Sequence, residues 1–349
     1  MYDKPFKTYD EQIEFLKDKY KLIITDDIFA KEALETFTYY DLINGYKEIF
    51  MHPTEEYFIP DKTIESLMAF RILDCEFQNL LFEISFHIEN RFKSIVAYHV
   101  SNQIGVDAKD YLDINNMQQS PKAQNQKILK KNLEKLIQVY KPSNPKKKPD
   151  MPTAHYVEKH NHVPAWILFR NATFSQVTTY YRFLLPDIKD AIAQDLLRDV
   201  PLRDSSKKIA VLPMLNFVRR YRNVIAHNLK FVTTRFYFIQ DLKKNESVDF
   251  MRSLFPRSLY SKSELINNDL DDIYTLICVM LLLLGKSNFT IILIQKLNSF
   301  FHIWNSEQAE TLGVNFSDYA ATIGLPANTE DRLNAFKDEI LETQRQKRS

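Results

Sequence analysis

The chain has 349 residues, nearly balanced in charge at +1, and only 5 of them are glycine. Average usage would supply roughly five times as many, and the shortage removes the residues that build tight hairpins, phosphate-cradling loops and dinucleotide-binding turns. It disfavours β-sandwiches, P-loop enzymes and nucleotide-fold dehydrogenases. An all-α fold is expected, with long helices joined by Pro and Asn/Asp turns and 25 Phe and 18 Tyr filling the core. The length suits two associated helical subdomains or one large core with additions.

Residues 8–50 read as short helices. Thr25-Asp26-Asp27 is an N-cap for Ile28–Phe37, Asn44-Gly45 marks a stop, and His52-Pro53 and Ile59-Pro60 frame a loop. From Lys62 to about Ser101, Leu73, Phe77, Leu81, Ile84, Ile88, Phe92 and Val96 recur at three- and four-residue intervals. That spacing predicts one long core helix or two stacked ones. Glu89 and Lys93 stand four apart and are expected to pair on an outer face, and His99 is expected to be a core histidine with a hydrogen-bond partner.

A helix near Lys122–Val139 leads into Lys141-Pro-Ser-Asn-Pro-Lys-Lys-Lys-Pro149, where the prolines forbid helix and leave a basic loop at 141–149. His155, His160 and His162 follow at irregular spacing with no nearby cysteine, so no metal site and no cofactor is expected. Helices are expected over Trp166–Thr173, Phe174–Leu185 and Lys189–Asp199, the last ended by Pro201. The next is expected to begin near Pro213, a residue suited to a first helical turn, and to run to about His227.

Phe231–Gln240 is β-prone. Beyond it, Ser261 and Glu264 form a capping-box pattern, two apolar helices fall near 269–285 and 289–304, and a polar tail, Thr329–Ser349, reads as a frayed helix. The apolar run Tyr274–Leu284 falls short of the ~20 residues that a membrane span needs and reads as a buried core helix. Cys75 and Cys278 lie in apolar helical patterns and read as buried, reduced thiols. The N-terminus lacks a signal-peptide pattern, and a cytoplasmic location without membrane association is expected. The organisation expected is an N-terminal helical segment (1–60), a helical core (61–240) and a C-terminal helical region (241–349).

The overall charge conceals a segregation. Residues 122–148 hold nine lysines, among them Lys130, Lys131, Lys146, Lys147 and Lys148, against the single acid Glu134. Residues 196–235 hold nine Arg and Lys, including Arg219 and Arg220, against Asp199 and Asp204. Two basic zones on an otherwise acidic chain are the footprint of a polyanion partner, or else a solvated lysine surface.

Within the second zone, Arg222 falls in register with Leu215, Val218 and Ile225, so a charge shares an apolar stripe and requires a partner or a cleft. Asn216, Arg220, Asn223 and His227 form a polar stripe beside it. Arginine and histidine together support attack of a ribose 2′-hydroxyl on its own phosphate. The imidazole moves the proton, and the guanidinium stabilises the extra negative charge, without a metal. The same spacing also suits a buried salt bridge at Arg222 and a helix cap at His227.

The motif Arg222-Asn223…Ala226-His227-Asn228 resembles the signature of HEPN domains, the α-helical higher-eukaryote-and-prokaryote nucleotide-binding superfamily. Further stretches match in order: Pro5-Phe6, Leu42-Ile43-Asn44-Gly45-Tyr46, Phe82 to Arg91, Val163-Pro164-Ala-Trp166, Thr173-Phe174 and Tyr180-Tyr181-Arg182. Together they make residues 5–235 resemble the Abi-like family of bacterial phage-abortive-infection proteins, of the AbiD and AbiF type. The resemblance implies a HEPN-like helical bundle with added N- and C-terminal helices. It also implies metal-independent endoribonuclease activity leaving a 2′,3′-cyclic phosphate, with Arg222, Asn223 and His227 catalytic. Glu89 and Arg91 match an earlier helix in a structural or site-supporting role.

The partners expected are RNA as substrate, an antitoxin or a cognate noncoding RNA as restraint, and a second copy of the chain. Lys130, Lys131, Lys146, Lys147, Lys148, Arg219 and Arg220 are the expected RNA contacts. The alternative is a non-catalytic RNA-binding module that keeps the fold.

Three features depart from the family pattern. Ser175 stands where a glycine is expected, residues 229–235 lack an Arg-plus-aromatic pattern, and a straight helix sets Arg222 about 140° around from His227. Either the helix loosens near residue 226, or, the preferred resolution, the site is composed across a homodimer.

Overall fold

The computed structural model describes residues 5–119, 123–138, 151–238, 253–267, 269–306 and 313–347, with residues 250 and 311. The basic loop 141–149, with Lys146, Lys147 and Lys148, lies outside them. The fold is all-α: among the described residues β-structure is confined to two isolated bridges, Ile23 with Thr63 and Met51 with Phe58.

Side-chain caps start the first helices. Thr8 and Glu11 form a reciprocal box before α1 (Tyr9–Asp18), and the Asp26 carboxylate accepts from the Ile28 and Phe29 N–H groups before α2 (Asp27–Phe37). A π turn, Tyr40–Asn44, and a short helix, α3 (Lys47–Phe50), follow. Gly45 closes the π turn at φ −60°, so its need for glycine is not a left-handed backbone. A Cβ there would collide with the Asp41 carbonyl oxygen.

Thr63 and Ser66 box the start of α4 (Ile64–Gln103), one unbroken helix of 40 residues that contains neither Pro nor Gly. At 1.5 Å per residue it runs about 60 Å. After α5 (Ala108–Tyr111) and α6 (Ala123–Gln138) come α7 (Met151–Lys159), α8 (Ala165–Asn171), α9 (Phe174–Phe183), α10 (Pro186–Leu196) and α11 (Asp204–Ala226). Helices α8, α10 and α11 pack on α4, as does the later α13.

The C-terminal part contributes α12 (Lys262–Asn267), α13 (Ile273–Leu284), α14 (Asn288–Trp304), α15 (Phe316–Ile323) and α16 (Thr329–Gln346). Every residue of α13 is buried, as a helix apolar all round but for Thr275 must be in water, and its apolar side chains join one continuous core with those of α4, α10 and α11. A second, smaller cluster gathers Ile13, Leu16, Leu34 and Leu42 on Ile64 and Leu67 at the start of α4. No helix among the described residues is long and apolar enough to cross a membrane.

Four local expectations change. Pro213 does not open a helix; it lies inside α11. A proline there removes the bond to the Ile209 carbonyl and crowds the preceding turn, and the helix continues because Pro213 is buried among Val211, Met214, Leu215 and Phe217. The β-prone stretch forms no strand over the described residues 231–238. Phe231, Val232 and Phe238 instead insert into the core, because β-propensity measures fit to a half-buried surface rather than a backbone preference.

The polar tail is docked rather than frayed through Gln346: Leu333, Phe336 and Ile340 are buried, and Arg332 pairs with Glu264. Glu89 and Lys93 do pair, at 2.6 Å, but both are only 8% exposed, on the inner face of α4.

Candidate functional site at the end of helix α11

Helix α11 runs antiparallel to α4, so its last turns descend from Glu89 towards Arg71. Arg222 lies over the Phe82 ring, 5.4 Å from its centre, with Nη2 3.9 Å from Oε2 of Glu89. Glu89 is committed more closely to Lys93, so one buried carboxylate serves two cations and Arg222 is held beyond hydrogen-bond reach of it. The Arg222 side chain keeps 34% of its surface exposed. The charge on the apolar stripe therefore rests on an aromatic face and opens to solvent. Asn223 is its neighbour, with Oδ1 3.5 Å from Nη1 of Arg222.

His227 ends the helix: its N–H donates to the Asn223 carbonyl, its side chain is exposed, and its imidazole makes no hydrogen bond or ion pair among the described residues. Among the described residues no hydrogen bond joins Arg222 to His227 within one chain, and the two stand about 7.5 Å apart along the axis at 1.5 Å per residue.

The next residue anchors that end. Asn228 adopts the left-handed conformation at φ 50°, while its N–H donates to the Ile225 carbonyl and the Leu229 N–H donates to that of Val224. This is a standard way to satisfy the last carbonyls of a helix, with asparagine in the place glycine usually takes. The Asn228 side chain is clamped twice. Oδ1 accepts from Nη2 of Arg71 at 2.7 Å, and Nδ2 donates to Oδ2 of Asp41 at 2.9 Å.

Behind the clamp lies Asp74, 2% exposed, whose Oδ2 accepts from the Tyr46 hydroxyl and the Gln78 amide, both at 2.8 Å, and whose Oδ1 accepts from the Tyr319 hydroxyl at 2.9 Å. Arg71 reaches both Tyr46 and Asp74. Burial pushes the Asp74 carboxyl up to about 6, against the pull of these donors and of Arg71. The network thus ties the turn after His227 to the π-turn segment, to α4 and to α15.

Glu89 lies beside Arg222 at the edge of the candidate site, whereas Arg91 holds helix ends together. Its guanidinium donates to the carbonyls of Leu196 at 2.9 Å, Asp195 at 3.2 Å and Leu283, satisfying the last turns of α10 and α13. Burial, with Arg198 nearby, lowers its pKa to about 10. Gly285, at φ 71°, follows α13 where a Cβ would meet the Asp199 carboxylate at 2.8 Å.

Arg219 and Arg220 are half-buried on α11, Arg219 bonding Asn216 at 3.4 Å. On α6, Lys130 lies 3.9 Å from Glu134 and Lys131 is exposed. His99 bonds Asp195 at 2.7 Å. The His155 and His160 rings lie 5.5 Å apart, and among the described residues no group of three His, Cys, Asp or Glu is gathered to hold a metal ion. Ser175 is exposed in the first turn of α9, where a serine fits as well as glycine. Arg235 donates to the Val232 and Thr234 carbonyls, both at 2.9 Å, and to that of Thr322, so it braces the turn after α11.

Arg71, Asp74 and Asp41 were not singled out in the sequence. Asp74 and Gln78, four apart on the apolar stripe of α4, were the available signal, but nothing local names their partners 28 and 245 residues away. No curated protein and no solved structure matches the chain. The model of one protein family does match, across residues 32–232, from α2 to the turn that follows His227. More than half of the sequence is covered, and the chain accordingly belongs to the family of Abi-like proteins, a family of phage abortive infection.

Proposed function

We propose that this protein is a metal-independent endoribonuclease of the HEPN type that acts in abortive infection. One observation supports the reading above others. A single helix end carries a partly exposed guanidinium, held off its carboxylate, and an exposed imidazole with no hydrogen bond or ion pair among the described residues. The first suits a phosphate and the second a proton transfer.

In the reaction, the ribose 2′-oxygen bonds to phosphorus while the bond to the 5′-oxygen breaks, leaving a 2′,3′-cyclic phosphate. His227 takes the 2′-hydroxyl proton or gives one to the departing 5′-oxygen. Arg222 stabilises the phosphorane charge, and Asn223 orients the guanidinium or the substrate. Because Arg222 and His227 diverge on one helix, the working site is composed in a homodimer. An antitoxin or a restraining RNA keeps it silent until infection.

The test is cleavage of labelled single-stranded RNA in excess EDTA. Wild type should cut, His227→Ala should lose about 10²–10⁴-fold, and Arg222→Ala about 10²–10³-fold. Equal RNA binding by all three with no cleavage would instead assign a non-catalytic RNA-binding module.

A further inference from the structure

We infer that the cleft between α9, α10 and α11 is a phosphate-binding subsite for single-stranded RNA, from which the strand follows one face of α11 to Arg222. The cleft holds about 410 Å³ and is lined by Tyr181, Arg182, Lys189, Lys208, Leu212 and Asn216. Three cations thus line one concavity, with the carboxylate of Asp190, bonded to Lys208 at 2.6 Å, as the acid beside them. Lys189 donates to Gln118 at 2.8 Å, a neutral partner, so Asp190, already bonded to Lys208, is the acid that both lysines share. Burial lowers the Lys189 pKa, and Lys208 nearby lowers it further, so the lysines repel each other across the cleft. A phosphate relieves that repulsion and gains hydrogen bonds in a partly desolvated site.

The register of α11 supplies the direction. Lys208, Leu212, Asn216, Arg219 and Asn223 follow at intervals of four, four, three and four, which keeps them within one stripe of roughly 80°. Arg219 bonds Asn216 on the cleft wall, and Asn223 adjoins Arg222. The stripe runs about 22 Å from the cleft to the proposed site at the helix end. Ile209, exposed, and Leu212, half-buried, add an apolar wall against which a base can pack.

This inference deepens the ribonuclease reading and rests on it for the direction of the strand, but it is tested through binding alone. Affinity for a fluorescent single-stranded oligonucleotide is measured against salt for His227→Ala, and for the same protein carrying Arg182→Gln, Lys189→Gln and Lys208→Gln. Each phosphate contact contributes about 0.7 to the slope of log K against log salt, so the triple change should weaken binding and flatten the slope by about 2. Lys189→Arg with Lys208→Arg should retain the slope.

An unchanged slope overturns the subsite, whether or not wild type cleaves. A flattened slope with no cleavage by wild type keeps the subsite and rejects the nuclease. No RNA binding at all, with polyglutamate bound in its place, rejects both and assigns the cleft to an acidic protein.

Discussion

Asp74 and Asn228 show how single residues carry the geometry of the helix end. The Asp74 carboxyl, raised to about 6 in the fold, titrates near 3.8 in the unfolded chain. Between those values the folded protein binds more protons than the unfolded one. Its contribution to stability is therefore present in acid and is lost as pH rises from about 4 through about 6. The thermal midpoint of wild type relative to Asp74→Asn should decline across that window, and parallel pH profiles would contradict the assignment. At neutral pH, Asp74→Asn leaves a buried donor without its acceptor and should destabilise by about 1–3 kcal/mol in urea unfolding. For Asn228, alanine brings both a left-handed backbone, costing about 1–2 kcal/mol, and the loss of the Arg71 and Asp41 bonds. Glycine brings only the second, so Asn228→Gly should unfold at higher denaturant than Asn228→Ala.

Helix ends are where the elements of this fold are joined. Arg91, reaching from α4, closes the C-terminal carbonyls of α10 and α13 at once, a task its planar fork performs and an ammonium cannot. Arg91→Ala should destabilise by about 3 kcal/mol or more, since it strands several buried carbonyls, and Arg91→Lys should recover only part. A loss below about 0.5 kcal/mol, the usual scale of a surface change, would show that those carbonyls find other partners. The same logic explains why α11 continues through Pro213 yet ends at Asn228. The lost bond at Pro213 is outweighed by the burial of its neighbours, whereas the last turn is held by backbone bonds and a clamped side chain.

At the scale of the whole molecule, the proposed composite site makes a prediction about mixtures. If Arg222 of one protomer works with His227 of another, then Arg222→Ala and His227→Ala proteins, each inactive, should complement when mixed. Half of the dimers would be mixed and half of their sites intact, giving about a quarter of wild-type cleavage. Light scattering should report a dimer, and a monomer that cleaves at full rate would exclude the arrangement. The lysine-rich segment is tested separately: changing Lys146, Lys147 and Lys148 together to Glu should weaken RNA binding strongly and flatten its salt dependence. Unchanged binding would remove that segment from the RNA contacts.

Much of the fold was legible in the residues because helix periodicity, caps and apolar stripes are local properties. The capping box at Ser261, the N-cap at Asp26, the helical run of α4 (one helix or two stacked ones) and the buried α13 all follow from neighbours within a few positions. The motif from Arg222 to His227 was equally readable, and so was the need for a partner at Arg222. What only the tertiary structure decided is which groups meet. It set Glu89 between Lys93 and Arg222, clamped Asn228 between Arg71 and Asp41, and turned the β-prone Phe231 and Phe238 into core residues without a strand. Those outcomes depend on burial and on partners as many as 245 residues apart. Desolvation and long-range packing, which set their energies, are properties of the assembled core rather than of any window of sequence.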